Sequence, residues 1–288
     1  MREKELGAQI RDLVGEYYKV RFGNTTFTPG KTPIRYAGRV FDEKEIQILV
    51  DSSLDFWLTE GRYSEEFQAD FAAWVDSEFA ILTNSGSSAN LLALSALTSP
   101  IFGEKRLKLG DEVITVAAGF PTTLNPILQN GMVPVFVDIE MGSYNAHVDS
   151  VREAISEKTR AIFLAHTLGN PYNLDGISEL VREYDLWLIE DCCDALGSTY
   201  RGKMVGTFGH VATCSFYPAH HITIGEGGMV FTDSDDIARA SHPFETGDEI
   251  VTAKEERTIP VAVDIPSNMV YFPVATTINM YTPILDTT

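Results

Sequence analysis

The sequence predicts an α/β protein built on a largely parallel sheet, for two reasons. Short apolar runs alternate with amphipathic helical stretches, and the residues able to do chemistry fall where those runs end. At 288 residues the chain suffices for one large domain or two small ones. A hydrophobic fraction of 44% and a charged fraction of 22% fit a soluble globular protein rather than a disordered one.

Taken in order, Leu6, Ile10, Leu13, Val14 and Tyr17 recur at helical spacing. Asp42 with Glu45 three residues on reads as a capping box that opens a second helix. Phe67, Phe71 and Trp74 mark a third. Buried strands follow at Phe79–Thr83, Glu112–Val116, Val133–Val137, Ala161–Ala165, Leu186–Glu190, Val211–Phe216 and Met229–Thr232. Helical stretches at Ala89–Leu97, Thr122–Gln129, Val148–Glu157 and Ile177–Tyr184 lie between many of them, which is the pattern of βαβ units. The alternation stops near Ser234, beyond which a short helix through Ile237 and Ala240 is expected. The expected organisation is an N-terminal helical segment over 1–55, a large domain over 56–240 and a tail over 241–288.

Composition narrows the function. A formal charge of −19 opposes binding to a phosphate backbone, so no nucleic-acid partner is expected. No apolar run approaches the roughly 20 residues of a membrane helix, and Met1 to Arg11 lacks a signal-peptide core. A cytoplasmic protein with no membrane partner is the expectation. The cysteines, Cys192, Cys193 and Cys214, lie in strand-like runs without a CxxC pair, so neither a disulfide scaffold nor a metal site is expected.

Three constellations carry chemistry. Asn84-Ser85-Gly86-Ser87-Ser88-Ala89-Asn90 joins a strand to a helix, with the glycine, free amides and hydroxyls that suit a phosphate. A capped helix start accounts for the same residues. Trp187 to Ala195 ends a buried strand in Glu190-Asp191, where a carboxylate could pair with a protonated ring nitrogen or simply cap the next helix. Ser215-Phe216-Tyr217-Pro218-Ala219-His220-His221 leads into Gly225-Glu226-Gly227-Gly228, so paired histidines stand beside a glycine-rich turn. A histidine there can act as a general base near neutral pH, or be structural.

In this order and at these strand ends, the three constellations resemble the DegT-type sugar aminotransferase family, which has the aspartate-aminotransferase fold (fold type I) of pyridoxal-phosphate enzymes. The resemblance is strongest to its CDP-4-keto-6-deoxyglucose 3-dehydrase branch, found in lipopolysaccharide O-antigen synthesis. It runs over about residues 1–234 and includes Leu54–Thr59, Val113–Asn125 and Ala165–Asn170. It implies that Gly86, Ser87 and Ser88 with Ser215 hold the phosphate of pyridoxamine 5'-phosphate or pyridoxal 5'-phosphate. It implies that Phe120 stacks on the cofactor ring, Asp191 pairs with the ring nitrogen and Asp194 lies near the ring hydroxyl. Where the aminotransferases carry the lysine that holds the cofactor covalently, this sequence has His220.

Imidazole cannot form that link, so the cofactor would be held noncovalently and act in its amine form. With His220 as base, and Asp194 and Tyr217 as further catalytic positions, the implied reaction is loss of the C-3 hydroxyl from a nucleotide-diphospho-sugar bearing a 4-keto group. Lys203, in Tyr200-Arg201-Gly202-Lys203, is read as a solvated turn residue rather than a displaced cofactor lysine. The resemblance also implies a homodimer and an NADH-dependent iron–sulfur flavoprotein reductase as partner. Members of that branch ligate a [2Fe–2S] cluster through cysteines after the glycine-rich turn, but this sequence has no cysteine beyond Cys214. The C-terminal small domain of the family is likewise expected to be missing. A cluster-free dehydratase, an aminotransferase-like protein and an inactive subunit with a binding role remain alternatives.

Overall fold

The computed structural model describes residues 2–23, 26–34, 40–57 and 59–241. The reading of a distinct tail over 241–288 therefore lies, beyond Ser241, outside the described residues.

Three helices come first: α1 (Arg2–Arg21), α2 (Glu43–Asp55) and α3 (Arg62–Val75). The capping box forms as the sequence predicts, with Asp42 accepting from the Lys44 amide and the Glu45 carboxylate accepting from the Asp42 amide. The apolar stripe of α1 is not buried: Leu6, Leu13 and Tyr17 are exposed on a helix whose neighbour is α2. In α3, Phe71 and Val75 enter the core while Trp74 stays outside.

The rest is an alternation of β1 (Phe79–Thr83), α4 (Gly86–Ala96), β2 (Glu112–Val116), α5 (Pro121–Gln129), β3 (Val133–Val137), α6 (Val148–Ala154), β4 (Thr159–Ala165), α7 (Leu174–Glu183) and β5 (Trp187–Asp191). A two-stranded hairpin, β6 (Thr199–Tyr200) and β7 (Lys203–Met204), precedes β8 (Val211–Ser215), β9 (Gly228–Thr232) and α8 (Asp235–Ser241). The main sheet runs β1-β9-β8-β5-β4-β2-β3. The five strands β8, β5, β4, β2 and β3 are parallel, and β9 lies antiparallel between β1 and β8. The reason is local: the link from β8 to β9 contains no helix to carry the chain back, so β9 returns alongside β8.

Alternate residues of each strand serve opposite faces. Ile162, Leu164 and Leu188 join Phe71, Val151, Ile177 and Leu180 on one side. Ala161, Phe163 and Ile189 join Ala89, Leu94, Ile127 and Ile237 on the other. Helices thus cover both faces, and β5, β8 and β9 are buried throughout.

This topology positions the site. Gly228 at the start of β9 is paired with Ser215 at the end of β8 and with Thr83 at the end of β1. The Ser85–Gly86 link into α4, the end of β8 and the start of β9 therefore meet at one place. A Cβ on Gly228 would stand 2.3 Å from the Ser85 carbonyl oxygen, so only glycine permits the approach.

Candidate active site at the carboxyl ends of the strands

Helix α4 starts three residues earlier than the periodicity suggests because Ser85 caps it, its hydroxyl accepting from the Ser88 amide at 3.1 Å. A Cβ on Gly86 would fall 2.4 Å from the Ser215 Cβ, 2.8 Å from its Oγ and 3.1 Å from the Cys193 Sγ. Gly86 and Ser215, distant in sequence, thus form one small polar cradle at the N-terminus of an 11-residue helix. Partial positive charge and backbone amides collect there, which suits a phosphate. The Ser215 hydroxyl also accepts from the Tyr217 amide at 3.4 Å.

Asp191 ends β5 almost wholly buried, and its carboxylate is held from three directions. Oδ2 accepts from Asn90 Nδ2 at 2.9 Å and from the Thr123 hydroxyl at 2.7 Å, and Oδ1 accepts from the Cys193 amide at 3.0 Å. Asn90 is fixed in turn, its Oδ1 accepting from the Thr213 hydroxyl at 2.6 Å and its Nδ2 also donating to the Thr122 carbonyl. An ionised carboxylate offers about four acceptor positions, so one on Oδ1 is left for a further donor. The sequence did not single out Asn90, Thr123 and Thr213 for this task. Their signal was weak, because each comes from a different element and they meet only in the fold.

Beside Asp191, Ala117, Phe120, Thr123 and Ala165 line a cavity of about 140 Å³. Ala165 pairs with Asp191 in the sheet, and Phe120, at the start of α5, is exposed. Phe120 and Asp191 therefore share the same end of the sheet, with the aromatic face uncovered.

Glu190, next to Asp191, is turned to a different task. One carboxylate oxygen accepts from the Phe208 amide at 2.8 Å and the Gly209 amide at 2.5 Å. The other accepts from the Gly206 amide at 2.9 Å and lies 3.0 Å from His166 Nε2. His166, whose ring stacks on Tyr172, Glu190 and Cys192 bring possible ligand atoms within 4.8 Å of one another. The four contacts already occupy the carboxylate of Glu190, so a cation there would have to displace backbone donors. The group reads as a structural clamp on the loop before β8.

The thiols are packing groups. Burial pushes Cys192 and Cys214 well above the usual thiol range, and the same cause, followed by the charge of Asp191, raises Cys193. A thiol held protonated is a poor nucleophile.

The turn after β8 separates the two histidines. His220 is half-buried, donates its amide to the Tyr217 carbonyl at 2.9 Å and sets Nδ1 3.2 Å from Asp194 Oδ1. His221 is exposed. Tyr217 is also exposed, with its ring 6.4 Å from that of His220. Lys203 sits on the β6–β7 hairpin, where its ammonium donates to the Thr207 carbonyl at 2.7 Å and lies over the Phe208 ring. Of the residues expected to act together, the structure joins Gly86 to Ser215 and Asp194 to His220 through direct contacts.

No helix among the described residues is long and apolar enough to cross a membrane. The model of the DegT/DnrJ/EryC1/StrS aminotransferase family matches residues 40–269. The lipopolysaccharide biosynthesis protein RfbH of Salmonella typhimurium is 51% identical over 244 residues, 85% of this chain and 56% of that protein. The dTDP-4-dehydro-2,6-dideoxy-D-glucose 3-dehydratase of Saccharopolyspora spinosa is 58% identical over 231 residues, 80% of this chain and 50% of that one. A solved structure of the E. coli GDP-4-keto-6-deoxy-D-mannose-3-dehydratase with bound hydrated PLP superposes with a TM-score of 0.66 at 37% identity. The match covers 72% of this chain and 53% of that one. The chain spans about half the length of the curated relatives it matches. Its sheet and the helices on both faces are those of the large domain of a fold-type I pyridoxal-phosphate enzyme. Fold and sequence agree: the chain belongs to the DegT/DnrJ/EryC1/StrS aminotransferase family.

Proposed function

We propose that the chain is the cofactor-binding part of a pyridoxamine-phosphate-dependent dehydrase that removes the C-3 hydroxyl of a nucleotide-linked 4-keto-6-deoxyhexose. The observation that carries this reading is His220 on the turn beyond Ser215, paired with Asp194, in a stretch from Ser215 to Gly228 that contains no lysine. Relatives named as 3-dehydratases of dTDP- and GDP-linked sugars support it.

The residues present fit the cofactor. The cradle between Gly86 and Ser215 would vanish if position 86 carried a Cβ, and it suits the phosphate; Ser87 and Ser88 continue it along the first turn of α4. The remaining acceptor position on Asp191 suits a ring N–H, and Phe120 offers an uncovered face for stacking. When bound, the pyridinium ring supplies an electron sink for the carbon that bears the amine.

The protein's own residues do the rest. Asp191, held by Asn90 and Thr123, would pair with the ring nitrogen and favour its protonated form. His220 would take the proton from the amine-bearing carbon and, as the imidazolium so formed, would give it to the departing C-3 hydroxyl, which would leave as water. Tyr217 and Asp194 flank that base. Without an amine-bearing side chain in this stretch, the cofactor would be held noncovalently, by the phosphate cradle, Phe120 and Asp191.

The exposed stripe Leu6, Leu13 and Tyr17 suits a second copy of the chain, giving a homodimer. Completing a 3-deoxy sugar requires two electrons, which the amine form of the cofactor would supply on passing to the aldehyde form, or an NADH-dependent iron–sulfur flavoprotein reductase would supply as partner. A cytoplasmic location accords with a nucleotide-sugar substrate.

The test is to add pyridoxamine phosphate and a 4-keto-6-deoxy sugar labelled with ¹⁸O at C-3, carried in turn on CDP, dTDP and GDP. Labelled water should appear, and in D₂O the cofactor's methylene proton should exchange. Failure to exchange with any of the three would sink the reading. A borohydride-stable attachment of the cofactor to Lys203 would instead favour an aminotransferase.

A further inference from the structure

We propose that Asp194 is the positioning residue of His220: its carboxylate holds the imidazole with the proton on Nδ1 and so leaves Nε2 as the basic nitrogen. The function of that nitrogen rests on the dehydrase reading above; the tautomer does not.

The geometry is specific to one ring atom. Asp194 Oδ1 lies 3.2 Å from His220 Nδ1. An ionised carboxylate has acceptors and no donor, so the ring nitrogen facing it must carry hydrogen. In a neutral imidazole the other nitrogen is then the acceptor. A free neutral histidine prefers the opposite arrangement, with hydrogen on Nε2. Asp194 therefore reverses an intrinsic preference, and the reversal is what a base acting through Nε2 requires. An aspartate that fixes tautomer and orientation is the general device by which proteins aim a basic histidine.

Both partners are positioned by backbone rather than by chance side-chain rotation. The Ala195 amide bonds to the Cys192 carbonyl at 2.9 Å, closing a turn directly after β5. Gly169, at φ 81°, packs against that turn, and a Cβ there would stand 3.0 Å from the Asp194 carbonyl oxygen. The Ser198 hydroxyl donates to the Gly169 carbonyl at 2.9 Å and ties the two loops together. On the other side, the His220 amide closes its own turn onto the Tyr217 carbonyl. Asp194 is half exposed and His220 less so, which puts the pair at the rim of the site with the carboxylate toward solvent.

The experiment is ¹⁵N NMR of the chain labelled at histidine, without cofactor, above the titration of its imidazoles. His220→Gln identifies the resonances among the six histidines. The native chain should show a pyrrole-type Nδ1 and a pyridine-type Nε2 at position 220. Asp194→Ala should reverse the two, and Asp194→Asn, which can accept or donate, should fall between. A native ring protonated on Nε2, or one unmoved by Asp194→Ala, overturns the proposal. Methylene-proton exchange of pyridoxamine phosphate in D₂O gives the second readout. Asp194→Ala should slow it by about 10²-fold at saturating cofactor, within the usual contribution of a positioned base. Native-like exchange in Asp194→Ala would also overturn the proposal. A native chain with the expected tautomer but no exchange would instead refute the dehydrase reading and leave the positioning role standing.

Discussion

The acids that end β5 and the histidine beyond β8 serve one site but are held in different ways. Glu190 is fully buried and clamps three backbone amides, and Asp191 beside it takes three hydrogen bonds from three separate segments. His220 stands on an exposed turn, and its side chain is oriented by Asp194 near the rim. The charge that must be constant through a reaction is built into the core, where rearrangement is expensive. The group that must meet both substrate and cofactor lies on a loop carried by that core. Changes at β5 should therefore damage the fold first, and changes at the turn should damage the chemistry first.

The largest effect is expected at Glu190. Glu190→Ala strands the amides of Gly206, Phe208 and Gly209 together with buried His166, and should cost about 3–5 kcal/mol, the range for breaking a buried charged contact. Urea unfolding measures it; a loss below about 1 kcal/mol would mean that water replaces the clamp. Asp191→Ala comes next. It leaves Asn90 Nδ2, the Thr123 hydroxyl and the Cys193 amide short of a partner, for a loss on the order of 3 kcal/mol. Equilibrium dialysis should show that it also loses pyridoxamine phosphate, whereas Glu190→Ala, where folded, should retain it. Retention by Asp191→Ala would erase the functional half of the comparison. Gly228→Ala is smaller again. The added methyl meets the Ser85 backbone, so β9 and α4 must part, at about 1–3 kcal/mol. Phosphate affinity should weaken alongside stability, since the same two segments form the cradle.

The core half of the site and the turn half also differed in how far they could be read from sequence. The strands and most helices announced themselves by period, and Gly86, Asp191, Ser215 and His220 by residue type at strand ends. What stayed hidden depends on long-range contact. Asn90, Thr123 and Thr213 are ordinary helix and strand residues until the fold sets them around Asp191. The direction of β9 follows from a link too poor in helix to cross back, which an apolar run alone does not reveal. The exposure of Leu6, Leu13 and Tyr17 was equally invisible, because amphipathic spacing predicts a buried face without saying what covers it. The pairing of Asp194 with His220 joins two turns that adjoin only because β5 and β8 are neighbours.

The smallest change in stability should accompany the largest change in chemistry, and His220→Asn puts both on one molecule. His220 shares its side chain with Asp194 at the rim, where solvent reaches the carboxylate, and a pair so placed contributes little to stability. Asparagine can still meet the Asp194 carboxylate, so the unfolding midpoint should stay within about 0.5 kcal/mol of native. Cofactor binding should also persist, because the cradle at Gly86 and Ser215 and the carboxylate of Asp191 are untouched. An amide cannot accept a proton near neutral pH, so exchange of the cofactor's methylene proton should fall by about 10²–10⁴-fold. Should His220→Asn instead unfold the chain, the turn would belong to the core. Should it exchange protons at the native rate, the base would lie elsewhere, and the division between a fixed acid in the core and a working base on the loop would be wrong.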